Sequence, residues 1–255
     1  MISVIIIGAG NVATHLFKAF NKAEQITVAQ WYNRRIEPIN QYKHLVEITD
    51  DLNALKKADV YILAVSDDVI SKLSAKLPFE DRLVVHTSGS VNIHDLDKKH
   101  KRGVMYPLQT FSKKAHMDFK NVPICIETLD KKSYPLLKEL ATSISNTSKK
   151  VNSDQRRILH IAAVFVNNFT NQLYRIGHEI TESEGTEFDL LKPLIMETAK
   201  KIQDISPYMA QTGPALRNDI KTINNHLNLL KNEHHKDIYK LLTKSIQLTH
   251  GREKL

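Results

Sequence analysis

Ile2-Ser3-Val4-Ile5-Ile6-Ile7-Gly8-Ala9-Gly10-Asn11-Val12-Ala13 is the stretch that decides the fold. Four apolar residues in a row, three of them isoleucine, predict a strand that is buried on both faces. The run stops at Gly8, and the residues from Asn11 onward follow a helical pattern. The spacing Gly8-x-Gly10-x-x-Ala13 is therefore a glycine fingerprint in the context that a dinucleotide-binding turn requires, between a strand and a helix.

Each small residue of this fingerprint has a physical role. Gly8 makes a turn that a Cβ would obstruct, Gly10 lets a pyrophosphate approach the backbone, and Ala13 lets the helix pack closely on the strand. The start of the helix, at Asn11 and Val12, offers unpaired N–H groups and a partial positive charge to the phosphates. The alternative is a glycine-rich turn without a ligand, but the position between strand and helix favours dinucleotide binding.

The second predicted strand, Ile26–Tyr32, ends in Asn33-Arg34-Arg35. In folds of this type an Asp or Glu near this place bonds the ribose 2′-hydroxyl of NAD, whereas Arg accommodates the 2′-phosphate of NADP. No carboxylate occurs between residues 25 and 36, and two arginines occupy the loop. The sequence therefore favours NADP over NAD, with two ordinary surface arginines as the alternative.

Two later strands end in small and polar turns. The strand predicted over 59–65 leads into Ala64-Val65-Ser66-Asp67, and the strand predicted over 82–86 leads into Thr87-Ser88-Gly89. Ligands of parallel sheets bind outside the carboxyl ends of the strands. We therefore expect both turns to border the cofactor.

Strands and helices alternate as far as residue 152, which predicts a doubly wound, mainly parallel sheet of the α/β class. A short strand is expected over 44–49, followed by a helix that Asp50 or Asp51 caps. After Asn152 the pattern is all helical: a long helix over 155–182, a capping box at Thr186-x-x-Asp189, and a helix that starts at Gly213-Pro214. These changes predict a dinucleotide-binding domain over 1–152 and a helical substrate or dimerisation domain over 153–255.

Composition excludes several classes of protein. The 255 residues contain one cysteine, Cys125, so neither an internal disulfide nor a cysteine metal cluster is expected. No apolar run approaches the roughly 20 residues of a membrane span, and the N-terminus does not read as a signal peptide, so we expect a cytoplasmic protein. The net charge of +8 comes from short scattered runs such as Lys113-Lys114, without a nucleic-acid-binding motif. It favours attraction of an anionic cofactor over nucleic-acid binding.

Several segments resemble a known family. They are 8–13, 63–67, 86–90, Tyr106-Pro107-Leu108-Gln109-Thr110-Phe111-Ser112, 162–169 and 212–219. In these the chain resembles the bacterial Rossmann-like NADP oxidoreductases that carry a C-terminal domain of unknown function. That family is related to the deazaflavin-dependent NADP oxidoreductases and the pyrroline-5-carboxylate reductases, within the 6-phosphogluconate dehydrogenase-like superfamily. The resemblance implies a helical second domain that often forms a homodimer, and a cleft between the domains for a small-molecule substrate.

The chain departs from the superfamily at one catalytic position. β-Hydroxyacid dehydrogenases of this superfamily carry a lysine four residues before an asparagine on the long helix, but Val164 precedes Asn168 here. A dehydrogenase of that type is therefore not expected. His160 is the first candidate for the proton donor, and Asn167 and Asn168 could bind a substrate carbonyl or carboxylate from the same helical face. A histidine and two amides satisfied at an interface are the alternative.

Weaker candidates for substrate binding are Gln109, near the proline that breaks its strand, and Arg217, which with Asp219 is expected just inside a helix. His86 could touch the cofactor or be an ordinary core histidine. His234 and His235 are expected to be solvated, and no catalytic metal is expected. The leading hypothesis is an NADP-dependent oxidoreductase. The competing hypothesis is a dinucleotide-binding sensor that keeps the fold without the chemistry.

Overall fold

The computed structural model describes residues 1–112 and 117–250, so the Lys113-Lys114 run lies outside the described residues. The chain divides into two compact units, Met1–Asn167 and Asn168–Leu255. The predicted domain boundary after Asn152 lies at the start of a helix whose residues belong to the first of these units.

The first unit is built on an eight-stranded sheet with the order β3-β2-β1-β4-β5-β6-β7-β8. Neighbouring strands are parallel except for β6 and β7, which are antiparallel. The strands are β1 (Ile2–Ile7), β2 (Ile26–Tyr32), β3 (Ile48–Thr49), β4 (Val60–Leu63), β5 (Leu83–His86), β6 (Lys101–Pro107), β7 (Ile124–Thr128) and β8 (Ser148–Lys150). The predicted α/β class, a doubly wound sheet followed by helices, is confirmed.

Strand β1 lies in the interior of this sheet, between β2 and β4. Val4, Ile5, Ile6 and Ile7 are all fully buried, as the apolar run predicts. Alternate residues of β1 belong to two different hydrophobic clusters, because successive side chains of a strand point to opposite faces of the sheet. Burying each such side chain stabilises the fold by about 1.5 to 3 kcal/mol.

Helices cover both faces of the sheet. Val4 and Ile6 share a cluster with α1 (Asn11–Phe20) and α3 (Tyr134–Ile144). Ile5 and Ile7 share the other cluster with α2 (Asp67–Lys76). The order of strands reverses at β1, so the carboxyl ends of β1, β2 and β4 border the crevice where ligands of such sheets bind.

Two predictions near β3 are wrong in extent. Only Ile48 and Thr49 of the strand expected over 44–49 pair with β2, because the preceding residues turn back on themselves through bonds such as Leu45 N to Tyr42 O. The helix expected after Asp51 is a single 3₁₀ turn, Leu52–Ala54. Asp51 does cap it, since its carboxylate accepts a hydrogen bond from the N–H of Asn53.

The chain after β8 is helical, as predicted. Asn152 caps the first helix through the N–H of Gln155, and a single turn of π-helix, Val164–Phe169, interrupts the long helix expected over 155–182. The helices are α4 (Ser153–Ala163), α5 (Thr170–Ser183), α6 (Lys192–Asp204), α7 (Pro207–Ala210), α8 (Ile220–Leu229) and α9 (Glu233–His250). Among the described helices, none is both long and apolar enough to cross a membrane.

Two predicted helix starts in the second unit are wrong. Thr186 and Asp189 form no capping box, and the 3₁₀ turn Phe188–Leu191 that precedes α6 has no side-chain cap. Helix α8 begins at Ile220 rather than at Gly213-Pro214, because Asp219 caps it by accepting hydrogen bonds from the N–H and the hydroxyl of Thr222.

Candidate functional site

Gly8 makes the turn at the end of β1 that its spacing predicts. Its φ of +119° is in a region that L side chains avoid, and a Cβ there would lie 2.3 Å from the carbonyl oxygen of Ala64. The backbone of the turn is fixed on both sides. The N–H of Gly8 donates to the carbonyl of Tyr32 at 2.9 Å, and the buried indole N–H of Trp31 donates to the carbonyl of Gly8 at 2.6 Å.

Gly10 precedes the first residue of α1 and leaves that end of the helix open. Apart from its chain neighbours, no atom of the described residues lies within 4 Å of the place a Cβ would take, and the glycine has no side chain to cap the first N–H groups. Those groups therefore keep their hydrogen-bonding capacity for an anion. Ala13 is fully buried in the cluster beneath, so the helix packs closely on the sheet.

One cavity of about 630 Å³ adjoins this turn, a volume typical of small-molecule and cofactor sites. It gathers the fingerprint turn and the ends of three further strands. Its lining includes eleven of the predicted cofactor residues: Gly8, Gly10, Asn11, Val12, Asn33, Arg34, Arg35, Ala64, Val65, Ser66 and Thr87. The open cradle at Gly10, together with this lining, fits a dinucleotide.

Four other predicted cofactor residues are not part of the described lining of this cavity: Ala13, Asp67, Ser88 and Gly89. Ala13 lies in the core, and Asp67 is the exposed first residue of α2. The Ser88 hydroxyl accepts hydrogen bonds from the N–H groups of Ser90 and Val91, so it shapes its own turn. The cavity also has lining residues that the sequence did not suggest: Ala9, Tyr32, Pro38, Val69 and Leu73.

The loop after β2 brings both arginines to this cavity. The side-chain amide of Asn33 donates to the carbonyl of Arg35 at 2.8 Å, which braces the loop. Asp50 and Asp51 lie near enough to add to the raised pKa of Tyr32, whose main cause is burial. Neither aspartate is among the described lining residues, whereas Arg34 and Arg35 are.

His160, the predicted proton donor, is paired with Tyr106, a residue that the sequence did not single out for chemistry. The Tyr106 hydroxyl lies 3.0 Å from Nδ1 of His160, and the two rings meet edge-on at 75°. Gly89 packs against both, since a Cβ there would lie 2.6 Å from His160 Nδ1 and 3.0 Å from Tyr106 Cζ. Burial above all, and then Cys125, raises the pKa of Tyr106 to about 12.

A buried arginine anchors the helix that carries His160. Arg156, one turn earlier on α4, is fully buried and donates to the Glu127 carboxylate of β7 at 2.6 Å. Its guanidinium also donates to the carbonyl of Val91 and, at 3.1 Å, to the hydroxyl of Ser153. The Ser153 hydroxyl itself donates to Glu127 at 2.8 Å. Helix α4 is thereby tied to β7 and to the segment that follows β5.

His86, at the end of β5, is fully buried and stays neutral at physiological pH. Burial first, and then the positive charge of Arg156, lowers its pKa from 6.5 to about 3. Its Nδ1 accepts a hydrogen bond from the N–H of Ser88 at 3.2 Å, so it helps to shape the 87–90 turn. A histidine that is not an imidazolium at neutral pH is unsuited to act as a general acid.

The remaining candidates are not among the described lining residues of this cavity. Asn167 and Asn168 are exposed in the π-helical turn, so the uniform α-helix that placed them on the face of His160 is wrong there. The exposed Gln109 folds back and accepts from the N–H of Thr110, and Arg217 is exposed in the turn before α8. Their binding roles remain predictions.

Two histidines near the C-terminus differ from each other. His234 is exposed, as expected, but His235 is 91% buried and lies 3.1 Å from the Glu179 carboxylate, so the expectation that it is solvated is wrong. Within the described residues, no group of three or more His, Cys, Asp or Glu side chains could hold a metal ion.

Comparison with known proteins gives this fold a family. The profile of the family described as NADP oxidoreductase, coenzyme F420-dependent, matches residues 3–89, and that of a domain of unknown function, DUF2520, matches residues 122–246. A crystal structure from Bacteroides fragilis, described as "putative NADP oxidoreductase BF3122", is 36% identical, with a TM-score of 0.86, over 96% of this chain and 97% of that one. The chain belongs to this family of Rossmann-type NADP oxidoreductases with a DUF2520 domain.

More distant structures share the fold of this NADP oxidoreductase family. Protein TM1727 from Thermotoga maritima is 22% identical, with a TM-score of 0.76, over 96% of this chain and 99% of that one. An imine reductase from Myxococcus stipitatus, solved with NADP⁺, is 16% identical, with a TM-score of 0.66, over 98% of this chain and 96% of that one. No functionally curated protein matches the chain.

Proposed function

We propose that this protein transfers hydride between NADP(H) and a small polar substrate of the imine or carbonyl-acid class. The observation that carries the proposal is the single cavity that joins the open helix end at Gly10 to Arg34, Arg35 and the turns after β4 and β5. A bound NADPH would supply the hydride to the substrate carbon. The protein must then supply a proton to the heteroatom as the π electron pair of the C=N or C=O bond moves onto it.

The preference for NADP rests on the charges of the cavity. Of the described residues that line it, none is a carboxylate, and two are arginines. An arginine can form bidentate, charge-assisted hydrogen bonds with a phosphate, whereas binding the 2′-hydroxyl of NAD calls for a carboxylate. The bond from Asn33 to the carbonyl of Arg35 supports this role, because a braced loop loses less entropy when it binds.

His160 is the proton donor in this proposal. Histidine is the side chain that most often transfers protons in enzymes, and His160 packs against the 87–90 turn, of which Thr87 lines the cavity. The superfamily's lysine is missing, so another group must carry the proton. The same missing lysine motivates the second candidate, a dinucleotide-binding sensor without catalysis.

Turnover separates the two candidates. NADPH oxidation would be followed with a panel of cyclic imines and 2-oxo acids. We expect His160→Ala to lower kcat by about 100-fold or more while the Kd for NADPH stays the same. His94→Ala, which changes an exposed histidine of the same unit, is the matched control. NADPH binding without oxidation of any panel member would favour the sensor.

We further propose that a second copy of the chain covers an apolar surface on the long helix. Ile158, Ile161 and Val166, all in the first unit, are 68, 54 and 74% exposed. Large exposed apolar patches mark interaction sites. Light scattering should give twice the 29.1 kDa mass of one chain, and a monomer at micromolar concentration would contradict the dimer.

A further inference from the structure

The bond between Tyr106 and His160 has a chemical consequence for the imidazole. A neutral imidazole has one nitrogen that donates and one that accepts, and a partner on one nitrogen decides which is which. Here the partner is a phenol oxygen 3.0 Å from Nδ1. Nδ1 is therefore engaged, and Nε2 is left as the nitrogen that can exchange a proton with a substrate.

The phenol can keep this bond in both protonation states of the imidazole. Burial holds the pKa of Tyr106 at about 12, so the hydroxyl retains its proton at physiological pH. It can donate to a bare Nδ1 when the imidazole is neutral. When the imidazole is protonated, the phenol oxygen can accept from Nδ1–H.

Neither partner is free to move away. Tyr106 is only 9% exposed in β6, next to Pro107, which ends that strand. Gly89 presses on Nδ1 from the turn after β5, where any side chain would collide with the ring. One turn before His160, buried Arg156 ties α4 to the Glu127 carboxylate. A catalytic group held on rigid elements in this way is preorganised for its reaction.

We propose that Tyr106 is a positioning residue that occupies Nδ1 of His160 and so makes Nε2 the proton-transferring nitrogen. This inference rests on the proposed function for its catalytic meaning. In the reductive direction, the substrate heteroatom gains the Nε2 proton of the imidazolium as it receives the π electron pair. Immediately after the transfer the imidazole is neutral and its Nδ1–H donates to the phenol oxygen. Solvent then protonates Nε2 and restores the imidazolium, and when the resting enzyme is deprotonated it loses the Nδ1 proton, which leaves Nε2–H and a bare Nδ1 that accepts from the phenol.

The test is ¹⁵N NMR of the full-length protein with labelled histidine. His160→Gln assigns the His160 signals among the 12 histidines. At about pH 8.5, two units above the ordinary histidine pKa, we expect Nδ1 of His160 to give the signal of a bare, hydrogen-bonded nitrogen and Nε2 that of an N–H. In Tyr106→Phe, the Nδ1 signal should lose its hydrogen-bond shift.

Tyr61→Phe is the matched control for Tyr106→Phe. Tyr61 is a buried tyrosine of β4 in the same sheet, and its hydroxyl donates to the carbonyl of Lys56 rather than to a histidine. The control should leave the His160 signals unchanged. Identical His160 signals in the wild type and in Tyr106→Phe, or a wild type with the proton on Nδ1 and a bare Nε2, would overturn the proposal.

Kinetics give the second measurement. Tyr106→Phe should lower kcat about 5- to 10-fold with little change in KM or in the Kd for NADPH, and Tyr61→Phe should change none of them. An altered Nδ1 signal with unchanged kcat would overturn the positioning role. If the wild type binds no NADPH, the proposed function fails, whereas the NMR result still decides whether Tyr106 sets the tautomer.

Discussion

Adding a side chain has different structural consequences at Gly8 and at Gly10, although only one residue separates them. A methyl group at Gly8 meets the backbone of Ala64 and a φ of +119°, whereas a methyl group at Gly10 meets open space. The first position is therefore constrained by the folded protein itself. The second is free in the protein alone, and only a ligand would require it to be glycine.

We predict opposite effects for alanine at these glycines. Gly8→Ala should lower the free energy of unfolding by at least about 2 kcal/mol, because a strained backbone and a steric collision add. Gly10→Ala should change it by less than about 0.5 kcal/mol but weaken NADPH binding at least about tenfold. Denaturant unfolding and calorimetric titration measure the two quantities. A Gly10→Ala protein that binds NADPH like the wild type would contradict the phosphate role of that turn.

The sequence alone could identify these glycines because their role depends on a local pattern, the spacing of small residues between a strand and a helix. It could not reveal Trp31 or Tyr106 as parts of the site. Their hydrogen bonds join residues 23 and 54 positions apart, and only the sheet brings these partners together. Tyr106 had a faint signal, since it opens the family-like segment 106–112.

Helix α4 is the element on which the proposed chemistry depends, and two adjacent arginines hold it in different ways. Arg156 is fully buried, and its guanidinium donates three hydrogen bonds, to Glu127, Val91 and Ser153. Arg157 pairs with Asp154 at the surface and is half-exposed. Buried and exposed ion pairs contribute very differently to stability, so the adjacent residues make a matched test.

We expect Arg156→Ala to lower the free energy of unfolding by about 3 to 5 kcal/mol, because it leaves the Glu127 carboxylate without its cation inside the protein. Arg157→Ala should lower it by no more than about 0.5 kcal/mol. Urea unfolding followed by circular dichroism measures both variants. Equal losses would show that Arg156 does not anchor the helix.

At the scale of elements, apolar periodicity predicted where most helices and strands lie, and it failed where other forces decide. The π-helical turn at Val164–Phe169 departs from the period of an ordinary α-helix, and no residue in this segment signals the change. Helix α8 starts after Asp219 because the carboxylate of that residue caps it, although Gly213-Pro214 predicts an earlier start. Strand β3 is short because the residues before Ile48 turn back on themselves.

The stability of the whole molecule should depend on acid through His86. The pKa of His86 falls from 6.5 in the unfolded chain to about 3 in the folded protein. Below pH 6.5 the unfolded chain therefore binds a proton that the folded protein does not bind. The free energy of unfolding that depends on a neutral His86 is fully present above pH 6.5 and is lost as the pH falls towards 3. Between pH 6.5 and 5 the loss is about 2 kcal/mol.

His86→Asn tests this acid sensitivity, because the asparagine carbonyl can still accept from the N–H of Ser88. Unfolding free energies of the wild type and the variant would be compared at pH 7 and at pH 5. The wild type should lose about 2 kcal/mol more than His86→Asn over this range. Equal losses would mean that His86 is not held neutral in the folded protein.

At the scale of the chain, the alternation of elements was enough to predict the doubly wound sheet, since right-handed parallel crossovers leave few other arrangements. The same reasoning predicted that the ends of β1, β2, β4 and β5 meet, and the cavity at these ends is the result. The substrate could not be predicted, because side chains outside these local motifs decide which molecule fits.

Calorimetric titration with NADPH and NADH tests the central claim most directly. We predict that NADPH binds at least about tenfold more tightly than NADH, and that the double variant Arg34→Ala/Arg35→Ala loses this difference while NADH binding is unchanged. Two charge-assisted hydrogen bonds to a phosphate suffice for such a ratio. No heat of binding at millimolar NADPH, or equal affinities for the two cofactors, would contradict the account.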